Sequence, residues 1–136
     1  MTVRRKTLTL KSTVRRQLID ITAEVIRFVS DNDITEGILT VSVPHATAAV
    51  IVNENERGLL SDIQAKIEEL FPQKSTYYHN EIDHNADAHL AATFLGHSRT
   101  FPIERNQLVR GTWQNIFLVE LDGPRSRRNV NLTILS

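Results

Sequence analysis

Apolar residues in this chain recur at two different spacings, and the order of those spacings constrains the fold more than any other feature. Residues 7–10 alternate polar with apolar side chains, which predicts a strand with one buried face. From Ile21 onward the apolar residues recur at the helical period, with Thr22 as the expected N-cap. Alternation returns over residues 39–43, and Pro44 is expected to end this second strand.

The next segments contribute a third strand and two helices. Residues 48–52 are a continuous apolar run, which predicts a buried strand joined to residues 39–43 as a hairpin. An amphipathic helix is expected after it, stopped by Pro72. A shorter helix is predicted between Asn85, as its N-cap, and Gly96, as its stop.

The last third of the chain has the composition of strands. We expect one strand before Pro102, another over residues 116–121 and a last one over residues 130–134, with the final turn at residues 122–124. Strands and helices do not alternate as βαβ units, so the order predicts an α+β sandwich. The length suits a single domain over residues 1–136.

Composition excludes several functional classes. The chain has 16 basic and 16 acidic residues, so it offers no overall field to attract nucleic acid or an anionic membrane. It has no cysteine, which excludes disulfides, thiolate metal sites and a cysteine nucleophile. The N-terminus has no apolar segment of a secretory signal, and no apolar run approaches the roughly 20 residues that span a bilayer. We therefore expect a cytoplasmic protein that binds neither nucleic acid nor membranes.

The stretch between the two later helices has no periodicity at all. A loop as long as residues 73–84 is uncommon in a small domain and is usually functional or disordered. Tyr77, Tyr78 and Ile82 disfavour disorder because such side chains tend to be buried. This stretch is therefore the first candidate for a functional site.

Histidines are concentrated in and after this stretch. His79, His84 and His89 are five residues apart, a step that rotates by about 140° on a helix, so they would not share one helical face. Three imidazoles with an open coordination position define the catalytic type of zinc site. A solvated loop is an equal alternative, since spacing by five matches no standard ligand motif. His45, at a predicted strand end, either faces a cleft or caps backbone groups of a turn.

Charged residues elsewhere have both functional and structural interpretations. Glu54 follows a buried strand and is either a general base, a partner that fixes a histidine tautomer, or an ordinary acidic loop residue. Asp62 lies near a helix start and four residues before Lys66, which favours a structural role. The arginine cluster at residues 125–128 suits phosphate recognition or a solvated strand start.

The single tryptophan stands between two polar side chains. Trp113 is flanked by Thr112 and Gln114, which could offer hydrogen bonds at a pocket wall. Packing of Trp113 in the core is the alternative.

Read in chain order, these candidates fall within a series of short segments. The segments are His45-Ala46-Thr47-Ala48-Ala49, Asn53-Glu54-Asn55, Asp62, Tyr78-His79-Asn80, Asn85-Ala86-Asp87-Ala88-His89, Leu95-Gly96-His97-Ser98, Gly111-Thr112-Trp113-Gln114 and Asp122-Gly123-Pro124-Arg125-Ser126-Arg127. With them the chain resembles, over essentially its whole length, the YjbQ family of small bacterial and archaeal proteins described as secondary thiamine-phosphate synthases.

The resemblance implies a compact α+β domain with a β-sandwich and two to three helices that assembles as a homotrimer, with its site near subunit boundaries. By position, it assigns His45, His79 and His89 as metal ligands and Glu54, Asp62 and Asp87 as catalytic acidic residues. It assigns Ser98, Thr112, Gln114, Arg125 and Arg127 to binding of the phosphorylated substrate. His84 and His97 do not match. Ala46 replaces a common hydroxyl residue, and the turn at residues 104–106 lacks the usual glycine, although Asn106 tolerates a left-handed conformation.

The implied reaction joins 4-amino-2-methyl-5-pyrimidinylmethyl diphosphate to a thiazole phosphate with release of pyrophosphate. The implied cofactor is a divalent metal ion, zinc-like because three imidazoles favour such an ion, with magnesium as the alternative because pyrophosphate chemistry normally uses it. This mismatch leads us to expect thiamine phosphate formation as a side activity. Two other functions stay open: a metal-dependent hydrolase of a small phosphorylated substrate, with Glu54 as base, and a non-catalytic metal- or anion-binding trimer.

Overall fold

Two antiparallel sheets form a sandwich in the computed structural model, which describes all residues from 1 to 136. The strands are β1 (Val3–Leu10), β2 (Gln17–Asp20), β3 (Glu36–Ser42), β4 (Ala48–Asn53), β5 (Ser98–Glu104), β6 (Gln107–Leu108), β7 (Asn115–Glu120) and β8 (Arg128–Leu135). The helices are α1 (Thr22–Asn32), α2 (Arg57–Leu70) and α3 (Ala86–Leu95), and Tyr78–Glu81 form a 3₁₀ turn. One sheet has the order β1-β8-β3-β5-β6 and the other β2-β7-β4, which confirms the predicted α+β class.

The smaller sheet is buried on both faces, and this explains why residues 48–52 are continuously apolar. Ala48 and Val50 of β4 belong to the core between the two sheets. Ala49, which lies between them, packs instead with Ala88 and Ala91 of α3. Because successive strand residues point to opposite faces, a strand covered on both faces needs apolar residues at every position.

The predicted hairpin between residues 39–43 and 48–52 is wrong. β3 pairs with β5 and β8 in the larger sheet, whereas β4 pairs with β7 in the smaller one. The connection through Pro44 and His45 therefore crosses from one sheet to the other. Alternating burial in β3 and two-sided burial in β4 already reflect two different environments, and proline has no N–H with which to continue a ladder.

The side chain that caps the start of α1 is not the predicted one. The helix begins at Thr22, and the carboxylate of Asp20 accepts a hydrogen bond of 2.8 Å from the Thr22 N–H. The Thr22 hydroxyl instead accepts a hydrogen bond of 2.8 Å from the backbone N–H of Ile116 in β7. Asp20 is therefore the capping side chain, and Thr22 ties the helix to the smaller sheet.

The strand that was expected to end before Pro102 continues to Glu104. The Pro102 carbonyl accepts from the Val109 N–H on the side away from β3, which is also the side that its missing N–H would face. On that side the partner strand β6 is only two residues long, so the proline is tolerated. Arg105 and Asn106 then turn the chain with φ of 52° and 61°, as expected for a turn that uses asparagine in place of glycine.

Both β2 and β6 were missed from the sequence because each is too short to show a period. The sandwich core is almost entirely aliphatic, apart from Phe28 and Phe101. None of the helices combines the length and the apolar character needed to cross a bilayer.

Candidate active site

The smaller sheet has two ends, and the predicted site residues divide between them. β4 and β7 are antiparallel, so the start of β4 lies beside the end of β7. The six residues of β4 extend over about 17 Å at the usual rise per strand residue. We call the end that carries His45, His79, His89, Asp87, Asp122 and Arg125 the histidine end, and the end that carries Glu54, Asp62, Thr112, Trp113 and Gln114 the Glu54 end.

His79 and His89 come together at the histidine end. His79 lies in the 3₁₀ turn and His89 in α3, and their ring centroids are 4.7 Å apart in an edge-to-face arrangement of 76°. Both line a cleft of about 480 Å³ together with Tyr77, Tyr78 and Leu90. His84, between them in sequence, is exposed and lies outside this cleft.

The stretch that carries His79 is held by hydrogen bonds more than by burial. The Tyr77 hydroxyl donates to the Pro72 carbonyl over 2.7 Å. Tyr78 and Ile82, which the sequence predicted to be buried, are 93% and 80% exposed. The expectation of burial is wrong for these two because α3 contacts the 3₁₀ turn without covering their side chains.

Asn85 links His79 to an acidic side chain from the turn after β7. His79 Nε2 lies 3.1 Å from Asn85 Oδ1, and Asn85 Nδ2 donates to Asp122 Oδ2 over 2.9 Å. Asn85 therefore occupies the N-cap position of α3 without capping it. Asn80 supplies that hydrogen bond, since its side-chain oxygen accepts from the Ala86 N–H.

Asp122 is also the partner of two arginines. Arg125 Nη2 donates to Asp122 Oδ2 over 2.9 Å, and Arg125 Nε donates to the Asp122 carbonyl over 3.0 Å. Arg15 Nη2 lies 3.7 Å from Asp122 Oδ1. The hydrogen bonds to Asp122 fix the guanidinium of Arg125. Because the side chain is still 47% exposed, an anion can reach it.

Asp87 is an anchor in this arrangement. Its side chain is fully buried, and it accepts hydrogen bonds of 2.8 and 3.0 Å from Arg15 and of 2.6 Å from Arg16. Burial alone would raise the pKa of Asp87, but the two arginines outweigh it and hold the pKa below its usual range. Both carboxylate oxygens of Asp87 are hydrogen-bonded, and its low pKa makes it a poor acceptor of a proton. The geometry therefore favours an anchoring role over the catalytic role predicted for Asp87.

His45 lines a second pocket together with His89, but a hydrogen bond already occupies one of its ring nitrogens. His45 Nε2 accepts from the backbone N–H of Asn129 over 2.9 Å, so this nitrogen carries no proton and Nδ1 must carry it. Burial and the positive charge of Arg128 hold the pKa of His45 below its usual value. Because the Nε2 lone pair is engaged and Nδ1 carries the proton, His45 has no lone pair left for a metal ion and does not complete a three-histidine site within one chain. No three metal-ligating side chains of the chain come together.

A buried ion pair lies behind His45, and sequence reasoning missed it. Arg128 is 4% exposed and Glu120 is fully buried. Arg128 Nη2 donates to Glu120 and also to the hydroxyl of Thr47 at 2.9 Å, while Ser12 donates to Glu120 at 2.6 Å. The available signal was an acidic residue at the end of a continuously apolar strand, since a buried charge requires a partner.

The remaining residues predicted at this end are less constrained. Arg127 is exposed, and Ser98 is the half-buried first residue of β5. Arg15 and Arg16, which pair with Asp87, were not singled out from the sequence. The two arginines lie about 70 residues before Asp87 in sequence, so only the fold shows that they pair with it.

The Glu54 end has far fewer contacts. The Glu54 side chain has no hydrogen-bond or ion-pair partner; only its backbone N–H donates to the Asn53 side chain. Asp62 is exposed on α2, and Lys66 pairs with Glu69 at 2.8 Å rather than with Asp62. The predicted Asp62–Lys66 pair is therefore not formed.

Around Trp113 the chain is exposed as well. Trp113 is 70% exposed and so is not a core residue. Gln114 Oε1 accepts from the Gly111 N–H over 2.7 Å, which closes a local turn, and Thr112 is exposed. Within one chain these residues and the histidine pair lie at opposite ends of the same sheet.

Comparison with known proteins gives one consistent result. Residues 6–136 match the family profile described as UPF0047 protein YjbQ-like. A UPF0047 protein of Archaeoglobus fulgidus is 50% identical over 121 residues, which cover 89% of this chain and 94% of the relative. A UPF0047 protein of Methanothermobacter thermautotrophicus is 47% identical over 94% of this chain and 90% of its own length.

Solved structures agree with the fold. A YbjQ-like protein of unknown function from Sulfolobus solfataricus P2 has a TM-score of 0.98 at 48% identity, covering 99% of this chain and 98% of that one. A hypothetical protein from Aeropyrum pernix K1 has a TM-score of 0.94 at 44% identity, with 98% of each chain covered.

Proposed function

The chain belongs to the UPF0047 protein YjbQ-like family, and on that premise we propose that its histidine end is an active site for transfer of a pyrimidinylmethyl group. The donor would be 4-amino-2-methyl-5-pyrimidinylmethyl diphosphate, the acceptor a thiazole phosphate, and the products thiamine phosphate and pyrophosphate. The reaction itself comes from the family resemblance described above. The structural support for its location is that the cleft beside His79 and His89 is joined to Arg125 through hydrogen bonds of 2.9–3.1 Å.

The chemistry requires little from a general base. The lone pair of the thiazole nitrogen forms the new C–N bond as the C–O bond to the diphosphate breaks, and the electron pair of that bond leaves with pyrophosphate. The protein's main task is then to position two rings and to stabilise the negative charge of the leaving group. Arg125, fixed by Asp122 and half exposed, is suited to donate hydrogen bonds to phosphate oxygens.

The cleft offers an aromatic and apolar lining for the organic part of such a substrate. Tyr78 and Leu90 lie on its walls beside the two imidazoles. Both expose apolar surface, on which a planar heterocycle can stack or pack. An apolar wall with few fixed polar groups is the usual composition of a small-molecule site.

A divalent metal ion is a further part of the proposal. His79 and His89 would hold it, and their imidazoles favour a zinc-like ion over magnesium. When bound it would supply positive charge against the leaving diphosphate. His45 does not fit as the third ligand within one chain, because its Nε2 accepts the Asn129 N–H.

We further propose that the site is completed in a homotrimer. Phe94, Leu70 and Tyr78 are 75%, 61% and 93% exposed, and exposed large apolar side chains are typical of a contact surface. Glu54, at the far end of β4, could approach the histidine pair only from another copy of the chain. A cytoplasmic location would suit the phosphorylated substrates of this reaction.

The proposal is tested by incubating the purified protein with both substrates and measuring thiamine phosphate and pyrophosphate. His79→Ala and His89→Ala are expected to lower the rate by about 100-fold or more, since each removes a group at the reacting centre. His84→Ala is the matched control, because His84 is exposed and lies outside the cleft. Equal loss in all three variants would contradict the proposed site.

The same assay separates transfer from hydrolysis. Pyrophosphate or phosphate released without thiamine phosphate would support the hydrolase instead. Binding of pyrophosphate with no turnover under any divalent ion would support the non-catalytic trimer.

A further inference from the structure

Asn85 contacts His79 directly, and Asp122 reaches His79 through Asn85. His79 Nε2 lies 3.1 Å from Asn85 Oδ1, and Asn85 Nδ2 lies 2.9 Å from Asp122 Oδ2. An asparagine amide can be turned either way, and the two orientations would demand opposite protonation of the His79 nitrogen. What decides between them is the group on the far side of the amide.

That group is a carboxylate, which leaves a single arrangement. Asp122 forms an ion pair with Arg125 and, as a carboxylate, can only accept hydrogen bonds. The NH₂ of Asn85 must therefore face Asp122, so the amide oxygen must face His79. An oxygen acceptor at 3.1 Å requires that Nε2 carries the proton of the neutral ring, which leaves the lone pair on Nδ1.

We infer that Asn85 and Asp122 are positioning residues, which hold neutral His79 in the tautomer with its proton on Nε2 and its lone pair on Nδ1. This role deepens the proposed function, in which His79 acts in the cleft, and rests on it for its effect on catalysis. The tautomer itself is a property of the free chain and can be measured without substrate or metal. Two fixed hydrogen bonds in series also limit rotation of the ring.

The same carboxylate oxygen couples the histidine to the arginine. Asp122 Oδ2 accepts from Asn85 at 2.9 Å and from Arg125 at 2.9 Å. When a phosphate binds Arg125, the tautomer of His79 is therefore already fixed, with the lone pair on Nδ1. His89 has no such chain of partners and contacts His79 only ring to ring.

The test is the ring tautomer of His79, read from long-range proton–nitrogen correlation spectra of the ¹⁵N-labelled, metal-free full chain at about pH 8, where an ordinary imidazole is neutral. The wild type is expected to show one tautomer, with the proton on Nε2. Asp122→Ala is expected to give a mixture, since no group behind Asn85 then selects one orientation of its amide. A wild-type ring protonated on Nδ1, or an unchanged single tautomer in Asp122→Ala, would overturn the inference.

A charge-swapped variant separates positioning from a merely structural role. Combining Asn85→Asp with Asp122→Asn places an acceptor-only group next to His79 and a donor behind it, so the Nε2-protonated tautomer should return. Failure of the swap to restore it, in a protein with a wild-type amide spectrum, would contradict the inference. The swap and the wild type suffice for a decision where Asp122→Ala alone does not fold.

Two further variants serve as controls for the spectra. Asp83→Asn removes an exposed carboxylate near Asn85 and should leave the tautomer unchanged. Arg125→Gln removes one of the two arginines that face Asp122 but keeps the hydrogen bond to Asn85, so the tautomer should also persist. A mixture of tautomers in Asp83→Asn would show that loss of any nearby charge has this effect and would contradict the assignment.

The transfer assay completes the test. Asp122→Ala is expected to lower the rate by about 10- to 100-fold, as loss of a supporting partner of an active-site histidine usually does, and the swap should recover part of it. A fixed tautomer in a protein without transferase activity would defeat the proposed reaction and leave the positioning role intact. Transfer activity in a wild-type protein whose His79 shows both tautomers would defeat the positioning role and leave the proposed reaction intact.

Discussion

The two ends of the three-stranded sheet carry similar numbers of polar side chains but organise them very differently. At the histidine end, His79, Asp87 and Asp122 are all fixed by hydrogen bonds. At the Glu54 end, the Glu54 side chain has no partner and Trp113 stands 70% exposed. The two ends have a similar density of polar residues, so density does not identify a preorganised site. The comparison indicates that hydrogen bonds fixing the polar side chains do identify it.

The largest expected effect is on stability, at the buried pair behind His45. Arg128→Met leaves the fully buried Glu120 carboxylate without its cation and is expected to cost about 3–5 kcal/mol of unfolding free energy. Denaturant unfolding at pH 7 measures it. The double variant Glu120→Leu with Arg128→Met should recover most of the loss, because removing both charges removes the desolvation penalty. Additive losses in the double variant would show that the two residues do not act as a pair.

A smaller loss is expected at Asp87. Asp87→Asn leaves Arg15 and Arg16 with a neutral partner and should cost about 2 kcal/mol, the usual range for hydrogen bonds to charged groups. Glu68→Gln is the matched control: Glu68 pairs with the same Arg16 but is 60% exposed, so its loss should stay below about 1 kcal/mol. Similar losses in both variants would contradict the anchoring role of Asp87.

Acidification should affect the histidine end through these same carboxylates. The pKa values of Asp87 and Glu120 lie below their usual range, so their stabilising effect is fully present above the unfolded value of about 4 and is lost as the pH falls through the folded values. The unfolding free energy of the wild type should therefore decrease between about pH 5 and pH 2. Asp87→Asn should decrease less over the same interval, and an identical slope would show that Asp87 does not contribute.

The smallest effect is expected at the other end of the sheet. Glu54→Gln should change the unfolding free energy by no more than about 0.5 kcal/mol, since the Glu54 side chain has no partner to lose. Glu54→Gln is expected to lower transfer activity only if the proposed homotrimer brings Glu54 to the histidine pair of another copy. A stability loss above about 2 kcal/mol would contradict the description of this end as unconstrained.

The same comparison explains what the sequence could predict. The missing pattern between residues 73 and 84 and the spacing of the histidines made His79, His84 and His89 equal candidates, and the family resemblance then excluded His84. The structure brings the rings of His79 and His89 to 4.7 Å. The fold class followed from the order of periods along the chain. These are properties of short segments, so they can be read without knowing which segments meet.

The partners of those histidines could not be read in the same way. Asn85 and Asp122 are 37 residues apart, and Arg15 and Asp87 are 72 apart, so only the sheet topology brings each pair together. The misplaced hairpin has the same origin: the two-sided burial of β4 results from α3, a helix that follows it by more than 30 residues. Asn85 itself was taken as a helix cap because local sequence cannot show that its amide is used elsewhere.

The most direct test of the central claim is a titration of the ¹⁵N-labelled protein with inorganic pyrophosphate, the proposed product, followed by amide chemical shifts. The histidine end is predicted to respond, with the largest shifts at His79, His89 and Arg125 and saturable binding that Arg125→Gln weakens. Glu54 and Trp113 should shift less than these three residues, because neither side chain belongs to the hydrogen-bonded arrangement at the histidine end. Shifts concentrated at the Glu54 end, with the histidine end silent, would contradict the assignment of the active site.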